Sequence, residues 1–355
     1  MRGGCGMTGL SGGRGSGCGM TLWLDEKTDE LVIIDQTLLP NEERTEAISD
    51  ARSLHDAIKQ LKVRGAPAIG VAAAVGLYAC AARFEDTSAD GFMYSLKKTG
   101  QLIASARPTA SNLAWAVERM LRTAETGERG VEAILDRLKK EAIAILEEDI
   151  DICRRIGEHG LTLLKDGATV LTHCNAGSLA AVKYGTALAP IYVGMEKGYS
   201  FKIYADETRP LLQGARLTAF ELSKAGADVT LICDGAAAGL MRRGEIDAVI
   251  VGCDRVAANY DFANKIGTLP LAVCAALFGV PFYVAAPKPT FDLNTPTGDD
   301  IIIERRPDEE ITHAFFSKPS APEGVPALNP AFDVIPRSLV SAYITEEGVV
   351  EIGRK

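Results

Sequence analysis

The chain has 355 residues, of which 47% are hydrophobic, and this is enough apolar material to fill the cores of two domains. Its formal net charge is −9, which argues against a general nucleic-acid binder, because such proteins carry a basic patch or a basic excess. No apolar run reaches the length of a membrane span. These bounds leave a globular protein whose partners are small molecules or other proteins.

The eight cysteines are scattered along the chain without the close Cys–Cys or Cys–His spacing of a zinc site. Several of them lie inside apolar runs, where disulfide and zinc geometry are disfavoured. Reduced thiols in a cytoplasmic enzyme are the simplest explanation. We therefore expect a cytoplasmic protein with no bound metal.

Residues 1–19 are dominated by glycine and lack the continuous apolar stretch of a signal peptide. We expect this tail to be disordered. Met20 opens the first patterned segment and resembles a natural start, so a misassigned upstream start codon would explain the tail.

The segment that follows the tail has the pattern of a small α+β domain. Two short apolar runs, at residues 22–24 and 31–34, are separated by a polar turn and predict a β-hairpin. Apolar residues at helical spacing cover residues 131–164 and predict one long helix. We place a domain boundary within it near Ile150, so that residues 20–150 form a hairpin and helical domain and residues 151–355 form a second domain.

Beyond Gly167, short apolar strands alternate with helices. The predicted strands are residues 168–171, 201–204, 229–232, 248–251 and 282–285. The predicted helices between them are residues 178–188, 211–225, 235–242 and 264–278. This alternation predicts an α/β fold whose C-terminal domain is a Rossmann-like, doubly wound and mostly parallel sheet. No GxGxxG motif follows a strand, so we expect no nicotinamide cofactor and predict none of any other kind.

Two chemically reactive side chains follow predicted strands. Cys174 lies in the turn at residues 172–178, and Asp254 lies in the turn at residues 252–259. Ligands of open α/β sheets bind at the carboxyl ends of strands, so the two residues are candidates for an acid–base pair. A helix beginning after the first turn would favour ionised or hydrogen-bonded forms of the thiol. The structural alternatives are a packed cysteine and an aspartate that caps a turn.

Residues 64–70 have the composition of an anion-binding loop. Gly65 and Gly70 let the backbone approach a ligand closely, and Pro67 suits the first turn of a helix. Arg64 adds forked donors next to the helix N-terminus. The alternative is a plain helix-starting turn with a surface arginine.

A second loop, at residues 105–112, contains a single basic residue, Arg107. Without further information, a salt bridge across the domain is its default role. Ser111 or Asn112 is suited to cap the helix that follows.

The turn at residues 206–214 places Gln213 in or near a first helical turn. Its amide can donate and accept at once, which suits the hydroxyl groups of a sugar. Glu207 and Arg209 are expected to pair and hold this loop.

Asn264 and Lys265 are expected to begin a helix. Lys265 together with the helix N–H groups would form a phosphate clamp, whereas the structural alternative is a solvated lysine.

Together these segments resemble the methylthioribose-1-phosphate isomerase family, which is related to the ribose-1,5-bisphosphate isomerases and to the regulatory subunits of translation initiation factor two B. The motifs are DQTLLP (35–40), RGAPAIG (64–70), ARPT (106–109), THCNAG (172–177), ETRP (207–210), QG (213–214), AAN (257–259), ANKIGT (263–268) and NPAFDV (329–334). The resemblance covers the chain from about Met20 to near its C-terminus. Cys253 and Tyr260 depart from it, because the family more often has small residues there.

The resemblance implies an aldose–ketose isomerase of methionine salvage that interconverts 5-methylthioribose 1-phosphate and 5-methylthioribulose 1-phosphate. It implies that Cys174 and Asp254 are the catalytic pair and that the protein is a homodimer. The implied substrate-binding residues are Arg64, Gly65, Ala66, Arg107, Gln213, Asn264 and Lys265. The alternatives are an isomerase of 5-deoxyribose 1-phosphate or ribose 1,5-bisphosphate and, more distantly, a non-catalytic regulatory subunit like those of the translation factor.

Overall fold

A computed structural model describes residues 19–108 and 110–352. The disorder predicted for residues 1–19 therefore concerns a segment that, apart from Gly19, lies outside the described residues. None of the helices in the described ranges combines the length and the apolar character that a membrane crossing needs.

In residues 19–108 and 110–161 the structure contains three strands and five helices. Strands β1 (Leu22–Asp25), β2 (Glu30–Ile34) and β3 (Thr45–Ile48) form an antiparallel sheet in the order β1-β2-β3. The predicted hairpin is confirmed, and β3 extends it. The helices are α1 (Ala51–Lys59), α2 (Ala66–Ala81), α3 (Ala89–Ala104), α4 (Ser111–Glu125) and α5 (Val131–Leu161).

Helix α2 is the centre of the N-terminal core. It is buried on nearly all sides, as expected of a helix that is apolar all round, and its small residues let α4 and α5 pack closely against it. The α4 cap differs from the prediction. Ala110 is the cap residue and makes no side-chain bond, so neither Ser111 nor Asn112 caps that helix.

The long helix predicted over residues 131–164 is confirmed as α5, which ends at Leu161. The buried apolar residues of α5 up to Leu146 belong to the N-terminal core, and those from Cys153 onward belong to a core of the C-terminal part. Ile150 packs against both cores. The domain boundary placed at Ile150 stays a prediction.

The C-terminal part contains the remaining strands and helices. The strands are β4 (Thr169–Thr172), β5 (Lys202–Asp206), β6 (Asp228–Ile232), β7 (Ala248–Val251), β8 (Arg255–Ala257), β9 (Phe262–Lys265), β10 (Phe282–Ala285), β11 (Phe291–Asp292), β12 (Phe332–Ile335), β13 (Ala342–Thr345) and β14 (Gly348–Glu351). The helices are α6 (Ala189–Glu196), α7 (Ala219–Lys224), α8 (Ala237–Arg242), α9 (Thr268–Leu277) and α10 (Glu309–Thr312).

The main sheet has seven strands in the order β14-β13-β10-β7-β4-β5-β6. All neighbouring strands are parallel except β13 and β14. From β4 the chain proceeds first to β5 and β6 on one side and then to β7, β10 and β13 on the other. The predicted α/β, Rossmann-like, doubly wound sheet is thus confirmed. The strand order reverses between β4 and β7, and this is the point at which such sheets bind ligands.

A second sheet of four strands, in the order β11-β8-β9-β12, was not predicted. Asn264 and Lys265 belong to β9, and α9 begins only at Thr268, so the prediction that they open a helix is wrong. Strand β9 pairs with β12, whose residues lie more than sixty positions further along the chain. Local sequence patterns do not reveal such a long-range pairing.

The helix predicted over residues 178–188 is also wrong. This segment contains only a short 3₁₀ turn, Ser178–Ala180, before α6 begins at Ala189. Gly185 has a φ of +73°, and a Cβ atom there would lie 2.2 Å from the carbonyl carbon of Gly177. The segment therefore folds back against the turn that carries Cys174 instead of continuing as a helix.

Candidate active site

The two predicted catalytic residues lie at the point where the strand order reverses. Cys174 follows β4, and Asp254 follows β7, the neighbouring parallel strand. Both turns therefore leave the same edge of the sheet. Asp254 also donates its backbone N–H to the carbonyl of Ala263 at 2.9 Å, which joins it to β9 and to Lys265 at the end of that strand.

Cys174 has a left-handed backbone conformation, with a φ of +64°. This conformation is uncommon for residues other than glycine and persists where the surroundings enforce it. Here the Oγ1 atom of Thr208 accepts the N–H of Cys174 at 2.8 Å, and the Oγ1 atom of Thr218 donates to its carbonyl at 2.6 Å. These two hydrogen bonds hold the backbone that carries the thiol on both sides.

A buried carboxylate stabilises the rest of this turn. Glu221 accepts hydrogen bonds at 2.7 Å from the N–H and the Oγ of Ser178 and from the Oη of Tyr192, and it also accepts from the side chain of Asn175. Burial raises the pKa of Glu221, and these donors counteract the rise. Because each of these groups donates to a carboxylate oxygen, Glu221 holds Asn175, Ser178 and Tyr192 together beneath the site.

Arg64 connects the N-terminal part to this turn. Its guanidinium donates to the side-chain oxygen of Asn175 and, at 3.4 Å, to the Asn175 carbonyl. Its Nε atom is buried and has no hydrogen-bond partner among the described residues. Burial lowers the pKa of Arg64, and the nearby acidic groups Cys174, Glu221 and Asp254 only partly offset this effect. Arg64 therefore remains charged and keeps an unused donor.

The start of α2 has the geometry of the predicted anion site. Gly65 is the cap residue of α2 and has a φ of +92°, and no side chain bonds to this helix end. A Cβ atom on Gly65 would lie 2.3 Å from the carbonyl oxygen of Ala180, so only glycine fits there. Ala66 is exposed, and Pro67 occupies the first turn. The open N–H groups and the positive helix end favour an anion.

Arg107 and Lys265 complete a group of three cations with Arg64. Both are half-buried, and neither has a carboxylate within salt-bridge distance among residues 19–108 and 110–352. The salt bridge considered for Arg107 is therefore absent from this part of the chain. Lys265 lies with its Nζ atom 4.8 Å from the ring centroid of Phe332. Cations without carboxylate partners favour the binding of an anion between them.

Cations of this group act to lower the pKa values of both predicted catalytic groups, Asp254 and Cys174. Burial raises the pKa of Asp254, whereas Lys265, Arg107 and Arg64 lower it, and the net shift is upward. Asp254 is exposed, so the surrounding protein raises its pKa without sealing it from a ligand. Asp254 therefore holds its proton to a higher pH than an ordinary aspartate.

Burial likewise raises the pKa of Cys174, and Lys265 and Arg64 only partly offset this rise. The thiol is therefore neutral near pH 7. The expectation that a following helix would favour its ionised form is wrong, because no α-helix begins after this turn.

Gln213 and Asn264 are the remaining predicted binding residues. Gln213 is 8% exposed, and its Oε1 atom is buried without a hydrogen-bond partner among the described residues. A Cβ atom on Gly214 would lie 1.7 Å from the carbonyl oxygen of Asp206, so this turn is pressed against the end of β5. Asn264 is 5% exposed and donates to the Oγ1 of Thr268 at 3.1 Å.

The predicted phosphate clamp of Lys265 with helix N–H groups needs a correction. The Oδ2 atom of Asp333 accepts the N–H groups of Gly267 and Leu269 at 2.8 and 2.9 Å. The start of α9 is therefore already bonded to a carboxylate. Of the groups in the predicted clamp, only the ammonium group of Lys265 remains to bind a phosphate.

The turn after β5 is also held differently from the prediction. Arg209 does not pair with Glu207; its guanidinium donates to the carbonyls of Pro210 and Ile311 at 3.0 and 2.7 Å. The backbone N–H of Arg209 instead bonds to Asp234, which follows β6. Cys174 and Asp254 were candidates because ligands bind at the carboxyl ends of parallel strands, and Asp234 meets the same criterion.

Cys253 and Tyr260, which differ from the small residues more common in the family, both pack against neighbouring parts of the protein. The Tyr260 ring contacts the rings of Phe291 and Tyr343, with centroids 6.2 and 5.8 Å apart. The Sγ atom of Cys253 donates to the carbonyl of Ala263 at 3.6 Å. Cysteines within the described ranges are all free thiols.

The family comparison matches residues 62–352 to the Initiation factor 2 subunit family. A methylthioribose-1-phosphate isomerase of Symbiobacterium thermophilum is 54% identical over 327 residues, which cover 92% of this chain and 91% of that protein. A 5-deoxyribose 1-phosphate isomerase of Petrotoga mobilis is also 54% identical, over 92% of this chain and 94% of that protein.

Solved structures agree with these matches. A 5-methylthioribose 1-phosphate isomerase of Pyrococcus horikoshii OT3 is 42% identical, with a TM-score of 0.89 over 94% of this chain and 92% of that one. A protein of A. fulgidus described as translation initiation factor eIF-2B, subunit delta, is 44% identical, with a TM-score of 0.88 over 94% of this chain and 96% of that one. The chain therefore belongs to the initiation factor 2 subunit family, alongside the sugar-phosphate isomerases of that family.

Proposed function

We propose that this protein is a sugar-phosphate isomerase that interconverts 5-methylthioribose 1-phosphate and 5-methylthioribulose 1-phosphate in methionine salvage. One observation carries the proposal. Cys174 and Asp254 leave neighbouring strands where the strand order reverses, and Asp254 lies within the field of Arg64, Arg107 and Lys265. A neutral acid and a neutral thiol beside an anion site match the needs of isomerisation in a phosphorylated sugar.

The cations and the start of α2 would bind the phosphate group. Arg64 offers an unused Nε donor, and the N-terminus of α2 offers backbone N–H groups near Gly65 and Ala66. Arg107 and Lys265 supply further positive charge. The buried amides of Gln213 and Asn264 would then bind sugar hydroxyl groups, because amides both donate and accept hydrogen bonds.

The first chemical step would open the sugar ring. A phosphate on the anomeric oxygen prevents free opening to an aldehyde, so the enzyme must protonate the ring oxygen as the ring C–O bond breaks. A carboxylic acid suits this role if its pKa keeps it protonated near neutral pH. The upward shift in the pKa of Asp254 supports its assignment as the acid.

The second step would move hydrogen from C2 to C1. The hydrogen travels either as a proton through an enediol or as a hydride across the carbon–carbon bond. Cys174 would relay the C2 proton in the first route. In the second, it would pass the C2 hydroxyl proton to the Asp254 carboxylate that ring opening leaves.

Lys265→Met is expected to weaken phosphate binding. Loss of a charged hydrogen bond to the phosphate should cost about 2 kcal/mol, which raises KM roughly 30-fold. Steady-state kinetics with inorganic phosphate as a competitive inhibitor would measure the effect. Lys140→Met, at an exposed position on α5, is the control and should leave KM unchanged. An unchanged KM in Lys265→Met would remove Lys265 from the phosphate site.

A comparison of three phosphates would test the substrate. We expect kcat/KM to be highest for 5-methylthioribose 1-phosphate, followed by 5-deoxyribose 1-phosphate, because the thiomethyl group is worth about 1–3 kcal/mol in an apolar pocket. Ribose 1,5-bisphosphate should react least, since its second phosphate needs a further basic cluster. Failure to convert any of the three would refute the proposed function.

The second candidate substrate is 5-deoxyribose 1-phosphate, which is favoured by relatives of that name at equal identity. Equal or greater kcat/KM for this sugar would select it over the methylthio sugar. The homodimer and the cytoplasmic location stay predictions. A purified protein that converted no sugar phosphate and bound a translation factor would instead support the non-catalytic alternative.

A further inference from the structure

The residue before Cys174 has a role that the proposed chemistry does not use. The His173 side chain is fully buried between two acceptors. Its Nδ1 atom lies 2.9 Å from the Oδ2 atom of Asp206, and its Nε2 atom lies 2.9 Å from the carbonyl oxygen of Ile266. The His173 side chain is therefore closed off from solvent, and its two ring nitrogens bond to Asp206 and Ile266.

The hydrogen-bond partners of His173 determine how many protons His173 and Asp206 hold together. A backbone carbonyl can only accept, so Nε2 must carry a hydrogen. The hydrogen bond between Nδ1 and Asp206 requires one further proton, which is bound to either the ring or the carboxyl group. Asp206 and His173 are thus a neutral pair in both arrangements, and the imidazole is held at both of its nitrogen atoms.

The electrostatics of the pair agree with this proton count. Burial lowers the pKa of His173, but the hydrogen bond and charge of Asp206 outweigh it and raise the pKa above its usual value. Burial raises the pKa of Asp206 to about 6, against the opposite effect of His173. The other charged groups that face the pair are Asp234 and Glu207, and both further favour the bound proton on Asp206.

The imidazole joins two parts of the site that are far apart in sequence. His173 is adjacent to Cys174, whereas Ile266 lies between Lys265 and Gly267. Gly267 has a φ of +102°, and a Cβ atom there would lie 2.7 Å from the Cε1 atom of the imidazole. The Lys265 turn is therefore shaped to receive this ring.

The partner carboxyl group extends the connection to a third turn. Asp206 ends β5, and the Oγ1 atom of Thr208, two residues later, accepts the N–H of Cys174. Asp234 lies nearby but does not make the cluster a metal site, because its two oxygens accept the N–H groups of Thr208 and Arg209 and both His173 nitrogens are engaged.

We propose that His173 and Asp206 form a positioning pair that fixes the phosphate-binding Lys265 turn relative to the thiol of Cys174. The inference rests on the proposed function in that it takes Lys265 as a phosphate ligand. The pair touches no substrate atom and acts through the carbonyl of Ile266. Loss of the pair should therefore weaken phosphate binding as well as lower turnover.

Three variants separate this positioning role from a general effect on folding. His173→Gln and Asp206→Ala break the connection. Asp206→Asn keeps it, because the amide can donate to Nδ1 of a neutral imidazole whose Nε2 still donates to Ile266. We expect the first two to weaken binding of inorganic phosphate about tenfold and Asp206→Asn to remain within about threefold of the wild type. His159→Gln, on α5, is the histidine control.

Calorimetric titration with inorganic phosphate measures this binding without any isomerase assay, so it stays informative even if none of the sugar phosphates is a substrate. Equal phosphate affinity in all variants would overturn the proposal. So would an Asp206→Asn protein as weak as Asp206→Ala, since charge and not the hydrogen-bonded connection would then be responsible.

Nuclear magnetic resonance of the wild type tests the pair even if the first two variants unfold. With ¹⁵N-labelled histidine, the His173 ring should show a protected Nε2–H and a shared Nδ1 proton that do not titrate across the neutral range. The signal is assigned among the four histidines by its loss in His173→Gln or by exclusion of the other three. An imidazole that titrates like an exposed histidine would refute the pair.

Discussion

Asp254→Asn is expected to lower kcat about 10³-fold, which lies within the range of 10²–10⁴ typical of general acid catalysis. The amide has almost the same shape as the carboxylic acid but cannot release a proton to the ring oxygen of the sugar. Because Asp254 is exposed, the change should leave the free energy of unfolding nearly unaltered. Turnover of the sugar phosphate and thermal unfolding of the same preparation would measure both effects.

The pH dependence of the wild type gives this prediction a second readout. The acid is active when protonated, so kcat/KM should fall as the pH rises through the pKa of Asp254. Burial raises that pKa and extends the active range upward, whereas the charge of Lys265 lowers it. Lys265→Met should therefore move the basic limb to higher pH, and Asp254→Asn should abolish it.

The control for Asp254→Asn is Asp228→Asn, at an exposed position where β6 begins. That end of the strand is at the opposite edge of the parallel sheet, so activity should be unchanged. Full activity in Asp254→Asn itself would remove Asp254 from the mechanism. A large loss of stability in that variant would contradict the exposed placement of the side chain.

The strands of the main sheet could be predicted because each carries its own signal. Strands β4, β5, β7 and β10 are short apolar runs bounded by polar turns, which is the pattern of buried parallel strands. Strand β6 has a similar apolar run although it lies at the sheet edge and is largely exposed. The second sheet lacked such a signal. Strand β9 is stabilised by its pairing with β12, whereas the local sequence of Asn264 and Lys265 predicts the start of a helix.

The same contrast holds for the site. Cys174 and Asp254 could be predicted because the carboxyl ends of parallel strands bind ligands, which is a rule that the sequence alone can apply. The supporting contacts could not be predicted in this way. Thr208, Thr218 and Glu221 hold the Cys174 turn from 34 or more residues away, and their roles appear only when the turns are brought together.

The ionisation state of the Cys174 thiol could not be predicted from the sequence either, because it too depends on long-range packing. A following helix was expected to favour the ionised form of Cys174, but the glycine pair Gly177 and Gly185 turns the chain back instead. Burial then outweighs the nearby cations and raises the pKa of Cys174. Whether a group is ionised depends on that balance, which only the packed structure determines.

Cys174→Ser is expected to lower kcat at least about 100-fold without unfolding the protein, because a hydroxyl group exchanges a proton far less readily than a thiol. The change is small in volume, and the backbone bonds to Thr208 and Thr218 do not involve the sulfur. Cys274→Ser, on α9, is the matched control and should keep full activity. Full activity in Cys174→Ser would exclude the thiol from the reaction.

Running the reaction in heavy water tests whether the hydrogen that moves from C2 to C1 travels as a proton or as a hydride. A base that takes the C2 proton must be ionised, and the raised pKa of Cys174 disfavours the thiolate. The hydride route needs no thiolate, because the C2 hydroxyl proton would pass through the neutral thiol to the Asp254 carboxylate that ring opening leaves. We therefore expect the hydride route, in which the ketose formed in heavy water carries no solvent deuterium at C1. Mass spectrometry of the product would measure this. Deuterium at C1 would contradict the hydride route and identify Cys174 as the candidate for the group that carries the migrating proton.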